Sequence, residues 1–141
     1  MILFTSDLMF GSKVLGAAKF AGLRGQGIRN RASLAQHAPG ASHFFLDLET
    51  ELTEGESPEE LLDAALGHPH MRVFAFAGHL QADRLRAAQA KIAPFGAKHE
   101  VHSRGSLSTR LVAILPPVVP AVPVAPVVPV VPVVPVAGGS S

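Results

Sequence analysis

Three short runs of the chain are almost wholly apolar: Ile2–Thr5, His43–Leu48 and Arg72–Ala77. Runs of this length without polar alternation mark strands covered by helices on both faces. Two weaker strand signals are Gln26–Arg31, where Ile28 is the only large apolar residue, and His99–Ser103, centred on Val101. Short polar strands belong at the edges of a sheet. Between the strands, apolar residues recur at helical spacing. Gly11–Ala21 carries Val14, Ala17, Ala18 and Ala21, and Leu80–Ile92 carries Leu85, Ala88 and Ile92 before Pro94. Ser106–Leu115 carries Leu107, Leu111, Ile114 and Leu115, and Ala32–His37 is long enough only for a short helix. The sharpest start signal is Ser57-Pro58-Glu59-Glu60, which reads as an N-cap, a first-turn proline and a capping box. Leu61, Leu62, Ala65 and Leu66 follow on one face, and Gly67 closes that helix.

Strands alternating with helices predict an α/β domain: a three-layer, doubly wound, parallel five-stranded sheet. The first, third and fourth strands are the most apolar and belong inside, while the second and fifth belong at the edges. The order 2-1-3-4-5, the flavodoxin-like arrangement, puts them in those places.

The apolar pattern changes character after Leu115, dividing the chain into a folded domain at 1–115 and a low-complexity tail at 116–141. From Pro117 to Pro135 proline recurs at every third position: Pro117, Pro120, Pro123, Pro126, Pro129, Pro132 and Pro135. Three residues per turn is the polyproline II repeat, so these prolines share one edge of a left-handed rod. That composition predicts a semi-rigid spacer, with docking into an aromatic groove as the alternative. Although the tail is uncharged and apolar, a proline at every third position forbids a spanning helix, so no membrane segment is expected.

Charge narrows the function classes. The formal net charge of +1 supplies no field that would favour nucleic acid. The chain has no cysteine, which removes disulfides, thiolate metal sites and cysteine nucleophiles. The N-terminal run lacks a basic flank and is interrupted at Asp7, unlike a signal peptide, so a cytoplasmic location is expected. The stretch holding Glu49, Glu51, Glu54, Glu56, Glu59 and Glu60 reads as a solvated acidic loop leading into a helix N-terminus. His68-Pro69-His70 lacks a third ligand at helical spacing, and Gly25-Gln26-Gly27 precedes a strand instead of following one, so neither reads as a site.

In an open parallel sheet, ligands bind at the carboxyl ends of the strands. Asp7, Asp47, Gly78-His79 and Arg104 should gather there. Two close carboxylates suit a hard cation or a shared proton. Equally, Asp7 could cap the first helix and Asp47 could be a satisfied strand-end residue.

At Ile2-Leu3-Phe4-Thr5-Ser6-Asp7 and Phe44-Phe45-Leu46-Asp47-Leu48, with the βα repeats that follow, residues 1–115 resemble the receiver domains of bacterial response regulators. The resemblance implies that Asp47 is the phosphoacceptor candidate, and that Asp7 is one of the acidic pair that holds magnesium, making Asp7 and Asp47 the candidate metal ligands. Ser6 stands in the place of the second acid, Ala77 in the place of a hydroxyl residue, and Arg104 in the place of a lysine. With Gly78 these residues complete the pocket. Losing one acid weakens a magnesium site, Ala77 has no hydroxyl to donate, and Arg104 offers a planar fork instead of an ammonium. The resemblance therefore implies a degenerate, pseudo-receiver pocket, in a non-enzymatic signalling domain that acts on a protein partner. The alternatives are a small-ligand-binding or enzymatic domain using the same crevice, and a structural protein in which the tail is the working part.

Overall fold

In the computed structural model, which describes residues 1–52 and 55–118, strands and helices alternate throughout. The elements are β1 (Ile2–Phe4), α1 (Leu8–Phe20), β2 (Gln26–Gly27), α2 (Arg31–His37), β3 (His43–Asp47), α3 (Pro58–Leu66), β4 (Arg72–Ala77), α4 (Ala82–Ile92), β5 (Glu100–Ser103) and α5 (Arg104–Ile114). All strand pairs are parallel and the sheet order is β2-β1-β3-β4-β5. The apolarity ranking anticipated this order. Every residue of β1 is buried, as are all of β3 and β4 except their first residues, while β2 is exposed and β5 half-buried.

The pleat sorts the strand residues into two cores. Ile2, Phe4, Phe44, Leu46, Val73, Ala75 and Ala77 face Leu34 of α2, Leu61, Leu62 and Ala65 of α3, and Ala88 and Ile92 of α4. Their alternating neighbours Leu3, Phe45, Phe74 and Phe76 face Phe10, Val14 and Ala18 of α1 and Leu107, Leu111 and Ile114 of α5. Successive side chains on a strand point to opposite faces, so a run that is apolar at every position needs helices on both sides. Phe45 and Phe74 stack across β3 and β4 with ring centroids 5.1 Å apart.

Several boundaries differ from the sequence reading, each for a local reason. Helix α1 begins at Leu8, not Gly11, because Asp7 acts as its N-cap and accepts the Phe10 N–H at 3.0 Å. Helix α5 begins at Arg104, not Ser106, because the Ser103 hydroxyl caps it through the Ser106 N–H at 3.2 Å. Strand β2 stops at Gly27 because Asn30 turns the chain into α2, forming a capping box with Ser33 that the sequence reading missed. At α3 the Ser57 cap is present, accepting the Glu60 N–H at 3.3 Å. Only the half of that box running from Ser57 to the Glu60 backbone is formed among the observed hydrogen bonds.

No helix among the described residues is long and apolar enough to cross a membrane. Most of the proline–valine tail, and Glu54 of the acidic loop, lie outside the described residues. The described start of the tail turns back on the domain: the Val118 N–H donates to the Phe20 carbonyl at 2.9 Å.

Candidate functional site

Parallel register sets the carboxyl ends of four strands side by side: Phe4 pairs with Leu46, Asp47 with Phe76, and Ala77 with Ser103. The residues just beyond those ends are Thr5, Asp7, Glu49, Gly78 and Arg104. Asp7 and Asp47 do converge, and what they converge on is the Arg104 guanidinium. Its Nε lies 3.3 Å from Asp7 Oδ2, and its terminal nitrogen lies 3.3 Å from both Asp47 Oδ2 and Glu49 Oε1. The contact to Asp7 is an ion pair without hydrogen-bond geometry, so the buried Nε–H has no hydrogen-bond acceptor. Arg104 also lies over the Phe76 ring, 5.5 Å from its centroid.

Asp47 is the centre of the cluster and is 2% exposed. Its Oδ2 accepts from the Thr5 hydroxyl at 2.6 Å, the Thr50 hydroxyl at 3.0 Å and Arg104 at 3.3 Å. Its Oδ1 accepts the Glu49 N–H at 2.9 Å. A buried carboxylate needs this many donors, because an unpaired charge removed from water is costly. Asp7 is likewise engaged on both oxygens, by the Phe10 N–H and by the Arg104 ion pair. Asp7 thus caps α1 and Asp47 is satisfied at the end of its strand, and both face one pocket.

Glu49 departs from the reading of a solvated acidic loop. Its Oε1 accepts the Gly78 N–H at 2.8 Å as well as facing Arg104. That backbone hydrogen bond, with help from Arg104, holds the Glu49 carboxyl below its ordinary range against the opposing effect of burial. Gly78 thus contributes its backbone N–H, and a Cβ there would press on the Glu49 carboxylate at 3.3 Å. Ala77 is fully buried and its methyl belongs to the core. Ser6 is exposed and serves Thr50: its N–H donates to the Thr50 hydroxyl at 2.9 Å, with its own hydroxyl 3.1 Å away. His79 stays exposed.

The sequence reading missed Thr5, Thr50 and Glu49 as members of the site. The one local signal was the spacing Asp47-x-x-Thr50, a turn in which a hydroxyl reaches back to a carboxylate. Thr5 and Glu49 become site residues only through the register of β1, β3 and β4. Among the described residues no group of three His, Asp or Glu side chains is arranged to hold a metal ion. His68 and His70 stand edge to face at 6.0 Å, and the His70 ring is spent on the Ala38 carbonyl at 2.9 Å.

Comparison with known proteins bears on the fold. No protein-family model and no curated protein sequence matches the chain. Solved structures do. The signal receiver domain of a putative LuxO repressor protein from Vibrio parahaemolyticus is similar with a TM-score of 0.55 at 15% identity, covering 81% of this chain and 87% of that one. A CheY-like response regulator receiver domain protein from Methanospirillum hungatei JF-1 gives 0.54 at 12% identity, covering 81% and 90%. A response regulator protein from Burkholderia pseudomallei, solved with a phosphorylated aspartic acid, a calcium ion and citrate, gives 0.52 at 14% identity, covering 84% and 75%. The fold is that of response-regulator receiver domains, as the resemblance implied. At these identities the likeness speaks for the fold alone.

Proposed function

We propose that this domain is a receiver-like signalling module that acts by contact with a protein partner, and that Arg104 permanently occupies its acidic pocket as a built-in counter-ion. The observation that carries this reading is the single guanidinium within 3.3 Å of Asp7, Asp47 and Glu49. A cation tethered to α5 stands among the carboxylates that would otherwise recruit a soluble one. As arranged, these residues do not fit magnesium. Every Asp7 and Asp47 oxygen already faces an N–H, an O–H or the guanidinium, and a small hard cation demands near-ideal octahedral geometry and gives up its waters reluctantly. A phosphoryl group on Asp47 would have to displace the Thr5, Thr50 and Arg104 contacts if carried on Oδ2, or the Glu49 N–H if carried on Oδ1, in a site with no hydroxyl at position 77. The reading assigns no catalytic residue, and leaves Asp7, Asp47, Glu49 and Arg104 as a clamp joining α1, β3 and α5 that sets the shape partners meet.

The test is chemical. The full-length protein is incubated with acetyl phosphate and magnesium, and intact mass is measured before and after mild base. No phosphoryl gain is expected, and a partner captured by the untreated protein should be captured equally after treatment. A base-labile gain of one phosphoryl group, lost in Asp47→Asn, would overturn the permanently occupied pocket and restore Asp47 as a phosphoacceptor.

A further inference from the structure

Strand β5 and helix α5 bring together three side chains that the acidic pocket does not use. Glu100 and His102 are two positions apart on β5 and so lie on one side of the sheet. His102 Nε2 stands 2.6 Å from Glu100 Oε1, and His102 Nδ1 stands 3.2 Å from the hydroxyl of Ser106, in the first turn of α5. The Glu100 and His102 side chains are mostly buried, at 16% and 19% exposed, whereas Ser106 is exposed. Among the described residues the Ser106 hydroxyl has no hydrogen-bond partner besides His102.

The carboxylate decides what each ring nitrogen does. Glu100 is gripped by Arg110, whose Nε donates to Oε1 at 3.2 Å and whose terminal nitrogen donates to Oε2 at 2.6 Å, and by Arg72 at 3.4 Å. Burial raises the Glu100 pKa, but hydrogen bonds from Arg110 and His102 outweigh it and hold the carboxyl below its ordinary range. A carboxylate only accepts, so the neutral His102 ring carries its proton on Nε2, which leaves Nδ1 as a bare acceptor facing the Ser106 O–H. A hydroxyl, a base within reach of it and a third group that orients the base are the parts of an activated serine. The helix adds to them. Ser106 lies in the first turn of α5, where the dipole favours negative charge, and the Ser103 hydroxyl fixes its N–H at 3.2 Å. Gly105 beside it has open space at its Cα, so a reacting carbonyl can approach the backbone N–H groups of that turn, which have no carbonyl partner within the helix.

We infer that Ser106 is a nucleophile that cleaves small acyl esters, with His102 as its general base and Glu100 as the residue that positions His102. The Ser106 oxygen bonds to the acyl carbon while its proton passes to His102 Nδ1. The bond from that carbon to the ester oxygen then breaks, and His102 gives the proton to the departing alcohol. Water attacks the acyl-serine next, again losing its proton to His102, which returns it to the Ser106 oxygen as the carboxylic acid leaves. The exposure of Ser106 suits a small acyl group arriving from solvent. This activity goes beyond the receiver-like reading and does not rest on it, since the clamp on Asp7, Asp47 and Glu49 is made by Arg104.

The absence of cysteine leaves no thiol to compete in the test. The full-length protein is treated with diisopropyl fluorophosphate, and the adduct is located by the masses of proteolytic peptides. The Ser106 oxygen should displace fluoride from phosphorus, its proton passing through His102 to solvent, while Ser103 and Ser108 on the same peptide stay unlabelled. Labelling should slow at least about tenfold in His102→Gln, the smallest effect expected from losing a general base. Ring-nitrogen NMR shifts should place the His102 proton on Nε2, and on Nδ1 in Glu100→Gln, whose amide faces the ring in place of the carboxylate. Labelling of Glu100→Gln should fall with that change while its backbone amide spectrum is retained. With p-nitrophenyl acetate, release of p-nitrophenol should drop in Ser106→Ala and in His102→Gln alike, both with the urea midpoint of the unaltered chain. No adduct at Ser106, equal labelling of Ser103 or Ser108, or labelling undiminished in His102→Gln would overturn the inference. A proton on Nδ1 in the unaltered protein, or equal p-nitrophenol release by Ser106→Ala, overturns it as well.

Discussion

Replacing Arg104 with methionine removes the guanidinium while keeping most of the apolar stem. The side chain is 29% exposed, and its partners differ: Asp47 is 2% exposed, whereas Asp7 and Glu49 are about one-third exposed, at 35% and 30%. Breaking a fully buried ion pair costs about 3–5 kcal/mol, because one charge is left stranded. Here Asp47 keeps the Thr5, Thr50 and Glu49 donors, and solvent screens the other two acids, so the loss from the pair is smaller, about 1.5 kcal/mol. The stacking over Phe76 adds about 0.5 kcal/mol. The expected cost of Arg104→Met is therefore about 2 kcal/mol. Urea unfolding of the full-length protein, with Asp47→Asn and the double variant completing a cycle, measures it. The double variant should fall short of the summed single losses by about 1 kcal/mol, since each substitution removes the same contact. A loss below about 0.5 kcal/mol, or additive single losses, would show that Arg104 behaves as an ordinary surface cation, and the clamp would be refuted.

Three further substitutions test the surroundings of the site and the core. Thr50→Val keeps shape but removes a hydroxyl that donates to Asp47 and accepts from the Ser6 N–H; it should cost about 1–2 kcal/mol in urea unfolding, whereas Ser6→Ala, at an exposed position, should stay within about 0.5 kcal/mol. His99 is buried, takes the Val73 N–H on Nδ1 at 2.9 Å and leaves Nε2 without a partner, with Phe95 edge-on 5.7 Å away. Burial, with Lys98 and Arg72 nearby, lowers its pKa, and burial does the same for His43. A lowered folded pKa means the unfolded chain binds the proton first, so this stability is fully present above about pH 6.5 and is lost as pH falls from there through the folded value. Unfolding free energy measured across that window should decline less steeply in His99→Gln, the remainder belonging to His43; an unchanged slope would rule out His99 as a source.

Sequence by itself determined the scaffold. Uninterrupted apolar runs at β1, β3 and β4, and poor ones at β2 and β5, were enough to place three strands inside and two at the edges, because burial on two faces constrains every residue of a strand. Asp7, Asp47, Gly78 and Arg104 followed from the rule that strand ends meet in a parallel sheet. Helix starts were less legible where a capping residue lies ahead of the apolar repeat: Asp7 and Ser103 draw α1 and α5 out to the pocket, which periodicity alone could not register.

Only the tertiary structure decided what the gathered residues do to one another. Thr5 reaches Asp47 across 42 positions and Arg104 reaches it across 57. Local pattern carries no information about such pairings, which depend on strand register and on where each helix begins. Whether Arg104 would face an open crevice or pair with its own neighbours turned on distances of a few ångströms. The fold sets them so that the guanidinium, fixed at the first position of α5, meets Asp7, Asp47 and Glu49 at once.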